Sequence, residues 1–215
     1  MLKLYTYFRS SAAFRVRIAL NLKGLAYEAI PVHLLRNGGE QHAPDYHHKS
    51  PLGTVPALDT EDGILTQSLA IIEYLEDTQP TPALLPAGAP ARARVRAIAQ
   101  TIACEIHPLN NLRVLSYLKH NLAADEAARN AWYSHWVDVG LVGVETLLSQ
   151  SAETGDYCHG AAPGLADCCL VPQVYNARRF NCSLEAMPTI RRIVEQCETL
   201  EAFQRAAPDS QPDRE

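Results

Sequence analysis

The chain has 215 residues, of which 47% are hydrophobic and 20% charged, and its formal net charge is −5. These values are ordinary for a globular protein, and the negative balance argues against a nucleic-acid partner, whose phosphates favour basic surfaces. No apolar run approaches the roughly 20 residues that cross a bilayer. The N-terminus also lacks the basic, apolar and small-residue order of a signal peptide. The sequence therefore predicts a cytoplasmic protein with neither a membrane segment nor a bound nucleic acid.

The N-terminal region begins with alternating strands and helices. Alternation that starts at Leu2 predicts a strand, and the helical spacing of apolar residues after Ser10 and Ser11 predicts a helix capped by one of these serines. A second strand is predicted over 26–32, and a weak helical stretch ends near His48.

Two more strands and a helix complete this region. Residues 55–59 and 64–66 are predicted to form a hairpin around an acidic turn that ends in glycine, and a helix follows over 68–78. The order β-α-β-α-β-β-α predicts an α/β domain with a mixed sheet over residues 1–80.

A proline-rich linker over 81–90 separates this domain from a region that has helical periodicity only. That second region, 91–205, is predicted to be an all-helical domain, with a long helix capped at Asp125 and a last helix over 189–203. Residues 206–215 are polar and contain proline, so they are predicted to form a disordered C-terminal tail.

All six cysteines lie beyond residue 103, and none belongs to a C-x-x-C pair. They are predicted to be buried free thiols, as is usual in a reducing compartment. The eight histidines show no spacing typical of metal ligands, so no metal site is predicted.

The turn between the first strand and the first helix gathers groups that suit an anion. Arg9 contributes a guanidinium, Ser10 and Ser11 contribute hydroxyls, and the helix N-terminus has partial positive charge. Thioredoxin-like proteins hold a reactive cysteine at this corner, whereas here the next residue is Ala12. A thiolate handled at this corner must therefore belong to a bound molecule. A serine before a helix, taken alone, is more often only a cap.

Two further motifs point to a peptide ligand. A cis bond between Val55 and Pro56 would expose the Val55 N–H and C=O to an extended peptide, although a proline here also suits an ordinary strand start. Ser68, after Gln67, is predicted to cap a helix whose start suits a carboxylate. Together with the serine corner, these motifs suit glutathione, with its γ-glutamyl carboxylate at Ser68, its cysteinyl backbone at Val55 and its sulfur at the serines.

The same stretches resemble the zeta class of glutathione transferases. The resemblance rests on residues 7–20, on Val55-Pro56, and on residues 67–75 and 165–173, and it covers nearly the whole chain. It implies a thioredoxin-like glutathione-binding domain followed by an all-helical domain, assembled as a homodimer. It also implies a cis peptide bond between Val55 and Pro56.

The resemblance also implies roles for individual residues. The residues that would contact glutathione are Ser10, Ser11, Gln41, Val55, Gln67 and Ser68 of the first domain, with His107, Asn111 and Arg113 of the second. Arg9 and Arg179 would bind the carboxylates of the substrate. Ser10, Ser11 and Arg9 would be the catalytic residues. An arginine pair near a helix end, such as Arg178-Arg179, otherwise has a structural explanation. Arg15 and Arg17 are weaker candidates, because arginines on helix surfaces are common.

Two positions depart from the family pattern. The corner of the zeta class commonly reads Ser-Ser-Cys, and Ala12 stands in place of that cysteine, so the reaction must use the glutathione sulfur alone. Gly164 stands where the family usually has a capping serine or threonine, a change that costs roughly a few tenths of a kcal/mol. Asp167, three residues later, is therefore predicted to be a folding element and not a catalytic base.

The activity that the resemblance implies is glutathione-dependent isomerisation of maleylacetoacetate to fumarylacetoacetate, a step of tyrosine and phenylalanine breakdown that uses reversible thiolate addition. The nearest alternative is maleylpyruvate isomerase of gentisate breakdown, which applies the same chemistry to a shorter diacid. General glutathione conjugation or dehalogenation is a further alternative, and a non-catalytic glutathione-binding module is the last. The residues do not separate the two isomerase substrates.

Overall fold

A computed structural model describes residues 1–215 of the chain. They form two compact units, one of Met1–Leu84 with Glu198–Glu215 and the other of Leu85–Cys197. The first unit contains the predicted α/β domain and also a C-terminal segment that the sequence assigned to the helical domain and the tail.

The first unit is built on a four-stranded mixed sheet. Its elements up to residue 84 are β1 (Leu2–Thr6), α1 (Ser11–Leu22), β2 (Tyr27–Pro31), α2 (Pro44–His47), β3 (Ala57–Thr60), β4 (Gly63–Thr66) and α3 (Ser68–Thr78). The strand order is β2-β1-β3-β4, with β1 and β2 parallel and the other two pairs antiparallel. The predicted order β-α-β-α-β-β-α is confirmed.

The register of the sheet brings three loops to one end. Tyr5 of β1 pairs with Ala57 of β3, and Ala57 pairs in turn with Thr66 of β4. Since these three residues lie in one row, the end of β1, the start of β3 and the end of β4 are adjacent. The serine corner follows the end of β1, Val55-Pro56 precedes the start of β3, and Gln67-Ser68 follows the end of β4.

Helix α1 is buried on almost every side. It packs against α3, and its apolar residues, such as Phe14 and Ile18, lie in the core. Arg15 and Arg17 are also buried, with exposed fractions of 2% and 0%, so the prediction that they lie on the helix surface is wrong. Both guanidiniums donate hydrogen bonds to neighbouring segments of the chain. A charged group can be buried when it has such partners.

The second unit is all-helical, as predicted. Its helices are α4 (Ala89–Gln100), α5 (Leu112–His120), α6 (Glu126–Ser149), α7 (Leu165–Arg179) and α8 (Pro188–Glu198), whose last residue belongs to the first unit. Helix α4 thus begins within the predicted linker. The Asp125 side chain caps α6 by accepting a hydrogen bond from the Ala128 N–H over 2.8 Å. None of the helices combines the length and the apolar composition that crossing a membrane requires.

The C-terminal segment differs from the prediction. The helix predicted over 189–203 is interrupted after α8, and a separate helix α9 (Glu201–Ala206) packs against α1. Beyond α9, Gln211 is buried, and its Nε2 donates to the C=O groups of Arg205 and Ala207. The predicted disorder of this tail is therefore wrong, because its polar groups find partners within the first unit.

Candidate active site

The turn before α1 has the geometry that the sequence predicts. The Ser10 N–H donates to the Tyr7 C=O over 3.0 Å, which closes the turn. Ser10 is the N-cap of α1, and its Oγ accepts from the Ala13 N–H over 3.2 Å. Ser11 is the first residue of the helix and is buried, and Ala12 follows it. The capping role thus coexists with a helix N-terminus whose positive end favours an anion.

Arg9 lies on an aromatic surface beside this turn. Its Nη2 donates to the Tyr7 hydroxyl over 3.1 Å, and its guanidinium carbon lies 4.8 Å from the centroid of the Phe8 ring. These contacts orient the guanidinium and use only part of its five N–H donors. The remaining donors can therefore bind a carboxylate.

The segment that enters β3 presents an unpaired peptide group. The bond between Val55 and Pro56 is cis, as the resemblance implies. Val55 is 7% exposed, and neither its N–H nor its C=O forms a hydrogen bond within the chain. The Thr54 C=O accepts from the Tyr46 hydroxyl and from the Ser50 hydroxyl, each over 2.8 Å, which fixes the segment. Burial raises the pKa of Tyr46, so its hydroxyl stays protonated as a donor. The Val55 groups are thus placed to pair with an extended peptide.

Helix α3 begins in a strained conformation. The sequence predicts Ser68 as its N-cap, but Gln67 occupies that position and Ser68 is the first helical residue. Gln67 has φ +69° and ψ 114°, and its side chain forms no capping hydrogen bond. Such a conformation costs a non-glycine residue on the order of 1–3 kcal/mol and is found mainly at functional sites. A helix start without a side-chain cap suits a bound carboxylate.

Arg15, which the sequence analysis treats as a weaker candidate, is buried and lies at the start of α3. Arg15 Nη1 donates to Ser68 Oγ over 3.2 Å. Its charge adds to the positive end of α3, so both features favour an anion there. The sequence does hold a signal for its burial: apart from Arg15 and Arg17, every residue from Ala13 to Leu20 is apolar. That part of α1 therefore has no polar face for an arginine to join.

Gln41 lies in a 3₁₀ turn, Glu40–His42, close to the segment that leads to Val55. It is buried, and its Nε2 donates to the Leu34 C=O over 3.3 Å, whereas its Oε1 has no hydrogen-bond partner in the chain. Gly53 has φ +58°, and a Cβ there would lie 3.1 Å from the Gln41 C=O, so glycine permits this close approach. A buried amide oxygen without a partner suits a ligand N–H.

The predicted residues of the helical domain lie on consecutive segments of the second unit. His107 begins a 3₁₀ turn, His107–Asn110. Asn111 caps α5 by accepting from the Arg113 N–H over 3.1 Å, and the Arg113 side chain is exposed. The Asn111 side chain therefore has a structural role as the cap of α5.

Arg179 is the last residue of α7, and its guanidinium carbon lies 5.1 Å from the centroid of the Phe180 ring. Phe180 stacks on Tyr133 of α6 with their centroids 3.7 Å apart, and the Tyr133 C=O accepts from Asn110 Nδ2 over 3.2 Å. These contacts connect the end of α7 to the turn that begins at His107. The predicted residues of the second unit thus belong to one region of it.

No cysteine lies in the first unit, and all six cysteines are free thiols. Five of them are buried as predicted, but Cys104 is exposed, so the prediction is wrong at that position. Burial raises the pKa of Cys158 and Cys168 well above the usual range, which makes them poor nucleophiles. No residue of the first unit can therefore supply a thiol at the corner of α1.

Asp167 closes the start of α7. It is 1% exposed, and its Oδ1 and Oδ2 accept from the N–H groups of Cys158 and Gly164, each over 2.9 Å. Burial raises its pKa. The predicted folding role is confirmed, because the carboxylate accepts from the N–H of the N-cap residue Gly164 and from the N–H of Cys158 in the preceding segment.

Replacing Asp167 with asparagine should lower the free energy of unfolding by about 1–2 kcal/mol, because one buried N–H loses its acceptor. The pKa of Asp167 is raised in the folded state. Its contribution to stability is therefore full below the unfolded-state pKa and is lost as pH rises through the folded-state value. Urea unfolding should show a larger difference from wild type near pH 4 than near pH 7. Asp156→Asn, at an exposed carboxylate, is the control, and equal losses in both variants would contradict the assignment.

Comparisons with known proteins identify the family of the chain. The family described as glutathione S-transferase, N-terminal domain, matches residues 4–83. The chain is 50% identical over 210 residues to a probable maleylacetoacetate isomerase of Vibrio cholerae. This match covers 98% of this chain and 97% of that protein. It is 51% identical over 213 residues to a maleylpyruvate isomerase of a Ralstonia species, covering 99% of each.

Solved structures agree with these relatives. A holo structure of maleylpyruvate isomerase, described as a bacterial glutathione S-transferase of the zeta class, matches with a TM-score of 0.96 and 50% identity over 99% of this chain and 100% of that one. A maleylacetoacetate isomerase of Methylobacterium extorquens AM1 with bound malonate and GSH matches with a TM-score of 0.95 and 44% identity over 99% of both chains. The chain therefore belongs to the zeta class of the glutathione S-transferase family.

Proposed function

We propose that this protein is a maleylacetoacetate isomerase, which uses glutathione to convert maleylacetoacetate to fumarylacetoacetate. Relatives named maleylacetoacetate isomerase from Pseudomonas aeruginosa and mouse are 48% and 43% identical to it over nearly its full length. The observation that carries the proposal is the row of Tyr5, Ala57 and Thr66, which brings the three motifs to one end of the sheet. Their chemistry matches the thiol, the peptide backbone and the carboxylate of glutathione.

The residues of the first unit fit glutathione at three points. The unpaired N–H and C=O of Val55 suit the cysteinyl backbone of the tripeptide. The start of α3, with Gln67, Ser68 and the buried Arg15 beside it, suits the γ-glutamyl carboxylate. The unpartnered Oε1 of Gln41 suits an N–H of the ligand.

At the sulfur end, the positive end of α1 and the hydroxyls of Ser10 and Ser11 favour a thiolate over a thiol. When bound, glutathione supplies the thiolate that adds reversibly to the conjugated double bond, so that this bond becomes single, rotates and re-forms. Arg9 binds a carboxylate of the substrate with paired N–H donors. Its charge also stabilises the negative charge that develops on the substrate as the double bond opens.

For the second unit we propose the roles that the family resemblance implies. We assign His107, Asn111 and Arg113 to the glutathione pocket and Arg179 to the second carboxylate of the substrate. The stack of Arg179, Phe180 and Tyr133 supports this assignment because it orients an exposed guanidinium. A planar guanidinium binds a carboxylate through two parallel N–H donors.

Maleylpyruvate isomerase is the second candidate function, since the Ralstonia relative of that name is 51% identical to this chain. The test is to assay the purified protein with each diacid, with and without glutathione. Our proposal expects the higher kcat/KM with maleylacetoacetate and no turnover without glutathione. A preference for maleylpyruvate would favour the second candidate, and activity only with halogenated substrates would favour a conjugating or dehalogenating transferase. Failure to bind glutathione in calorimetry would leave a non-catalytic module.

We further infer that the protein is a cytoplasmic homodimer. Val139 and Val142 of α6 are 55% and 52% exposed, and a second copy of the chain would cover such apolar side chains. The six free cysteines suit a reducing compartment. Light scattering tests the assembly, and a particle mass of one 23.7 kDa chain would contradict it.

Replacing Gln67 with glycine should stabilise the fold and weaken glutathione binding. Glycine adopts φ +69° without strain, so the free energy of unfolding should rise by as much as about 1 kcal/mol. The same change removes an amide proposed to bind glutathione, so the Kd for glutathione should rise about tenfold in calorimetry. Gln79→Gly is the control, because Gln79 has φ −134° and glycine relieves no strain there. An unchanged Kd in Gln67→Gly would remove this side chain from the proposed site.

A further inference from the structure

The turn that carries Arg9 and Ser10 is held by the C-terminal segment of the chain. The Phe8 N–H donates to Asp213 Oδ2 over 3.0 Å, a contact between residues 205 positions apart. The Phe8 C=O accepts from Arg17 Nη2 over 2.9 Å. The side chains of Asp213 and Arg17, which lie outside the turn, thus satisfy both backbone polar groups of Phe8. Phe8 itself is 5% exposed, so little water reaches it as a substitute.

Arg17 connects the same turn to the same segment. Its Nε donates to the Ala206 C=O over 2.9 Å, and its Nη1 donates to the Tyr7 C=O over 3.3 Å. Burial lowers the pKa of Arg17 to about 10, an effect that the nearby Tyr27 and Asp213 oppose, so the guanidinium is charged at neutral pH. Arg17 therefore holds the turn against the end of α9.

The last residue of the chain reaches the turn by a second route. Glu215 Oε2 lies 3.2 Å from His33 Nε2, and Glu215 Oε1 accepts from Arg36 Nη2 over 2.7 Å. The His33 ring packs edge-on against the Tyr7 ring, with centroids 5.0 Å apart. The Tyr7 hydroxyl in turn accepts from Arg9. A continuous set of contacts thus runs from the C-terminus to the guanidinium proposed to bind substrate.

We propose that Asp213 and Glu215, near the C-terminus, are positioning residues of the active site, and that Asp213 holds the turn that presents Arg9 and Ser10. This inference rests on the proposed function, since it concerns the groups assigned to substrate and thiolate. Asp213 acts through the Phe8 N–H and does not itself touch the substrate. Without its carboxylate the turn is free to shift, and a displacement of about 1 Å at a binding group can cost on the order of a hundredfold in rate.

The test compares full-length Asp213→Ala with Asp209→Ala, which removes an equal charge from an exposed carboxylate that pairs with Arg214. In Asp213→Ala, exchange of the Phe8 amide hydrogen should accelerate at least about tenfold, because its hydrogen bond is lost. The kcat/KM for the diacid should fall about tenfold, and the pKa of enzyme-bound glutathione should rise. Asp209→Ala should match wild type. Asp213→Asn keeps an acceptor oxygen and should recover most of the activity, a rescue that a role of net charge alone would not produce.

Kinetics and Phe8 exchange in Asp213→Ala that match those of Asp209→Ala would overturn the inference. If Asp213→Ala does not fold at the assay temperature, Glu215→Ala replaces it, since Glu215 is half exposed and its removal leaves the Phe8 contacts in place. That variant should raise the KM for the diacid about threefold and leave glutathione affinity unchanged, because it loosens only the route through His33 and Tyr7. An unchanged KM would then overturn the inference. Phe8 exchange needs no substrate, so a wild-type protein that fails to isomerise maleylacetoacetate would refute the proposed function alone.

Discussion

Replacing Arg9 with alanine should lower kcat/KM for maleylacetoacetate about a hundredfold while leaving glutathione binding intact. Truncating one partner of a hydrogen-bonded charge pair costs about 2–5 kcal/mol, and each 1.36 kcal/mol corresponds to about tenfold in rate. Because the guanidinium is proposed to bind both the ground-state carboxylate and the charge that develops later, KM should rise and kcat should fall. Steady-state kinetics at saturating glutathione and calorimetry of glutathione binding measure the two effects separately.

Arg205→Ala is the matched control for this variant. The Arg205 side chain is 68% exposed and pairs with exposed Glu201 over 3.8 Å, so its loss changes the net charge of the same unit without touching the turn. Arg9→Lys keeps the charge but lacks the planar fork, so it should recover only part of the activity. Normal turnover in Arg9→Ala would exclude the carboxylate contact. An equal loss in Arg205→Ala would indicate a general effect of charge.

Much of the first unit could be predicted because its determinants are local. Ser10 caps α1, α3 ends at Thr78 as expected, and the alternation of strands and helices yields the observed mixed sheet. Cap chemistry, period-two alternation and helical spacing each depend on a few neighbouring residues. One sequence is sufficient to detect them.

The C-terminal segment could not be predicted in this way. Its polar, proline-containing composition is typical of disorder, yet Gln211 is buried and Asp213 accepts from the Phe8 N–H. The order comes from partners at the other end of the chain, among them Arg17, a buried cation that needs acceptors. Contacts over such a sequence separation leave no periodic signal in either segment.

In the candidate site, too, the features with local sequence signatures could be predicted and those that depend on packing could not. The serine corner and the proline of Val55-Pro56 could be found from residue types alone, because a cap and a strand start have local signatures. The strain at Gln67 and the contact of Arg15 with Ser68 depend on how α1 packs against α3, which no local pattern specifies. The roles assigned in the second unit rest on the family resemblance and stay predictions.

Removing the hydroxyl of Ser10 should raise the pKa of enzyme-bound glutathione and lower turnover at neutral pH about a hundredfold. The Ser10 oxygen already accepts from the Ala13 N–H, which fixes the side chain and leaves its O–H proton to donate to a sulfur anion. Loss of one donor to a developing or bound anion typically costs 10²–10³ in rate. Since the thiolate fraction recovers as pH rises, the deficit should shrink at higher pH.

Two replacements of Ser10 separate this chemistry from capping. Ser10→Ala removes the hydroxyl and the cap and should lower the free energy of unfolding by about 1 kcal/mol, whereas Ser10→Gly costs only about a few tenths. Both variants should show the same raised thiol pKa, measured from the ultraviolet absorbance of the thiolate, while Ser10→Thr should retain a low value. If Ser11→Ala alone raises the thiol pKa, the sulfur contact belongs to the first helical residue and Ser10 is only a cap. Because Ala12 offers no second thiol, either outcome leaves glutathione as the sole nucleophile whose ionisation this corner controls.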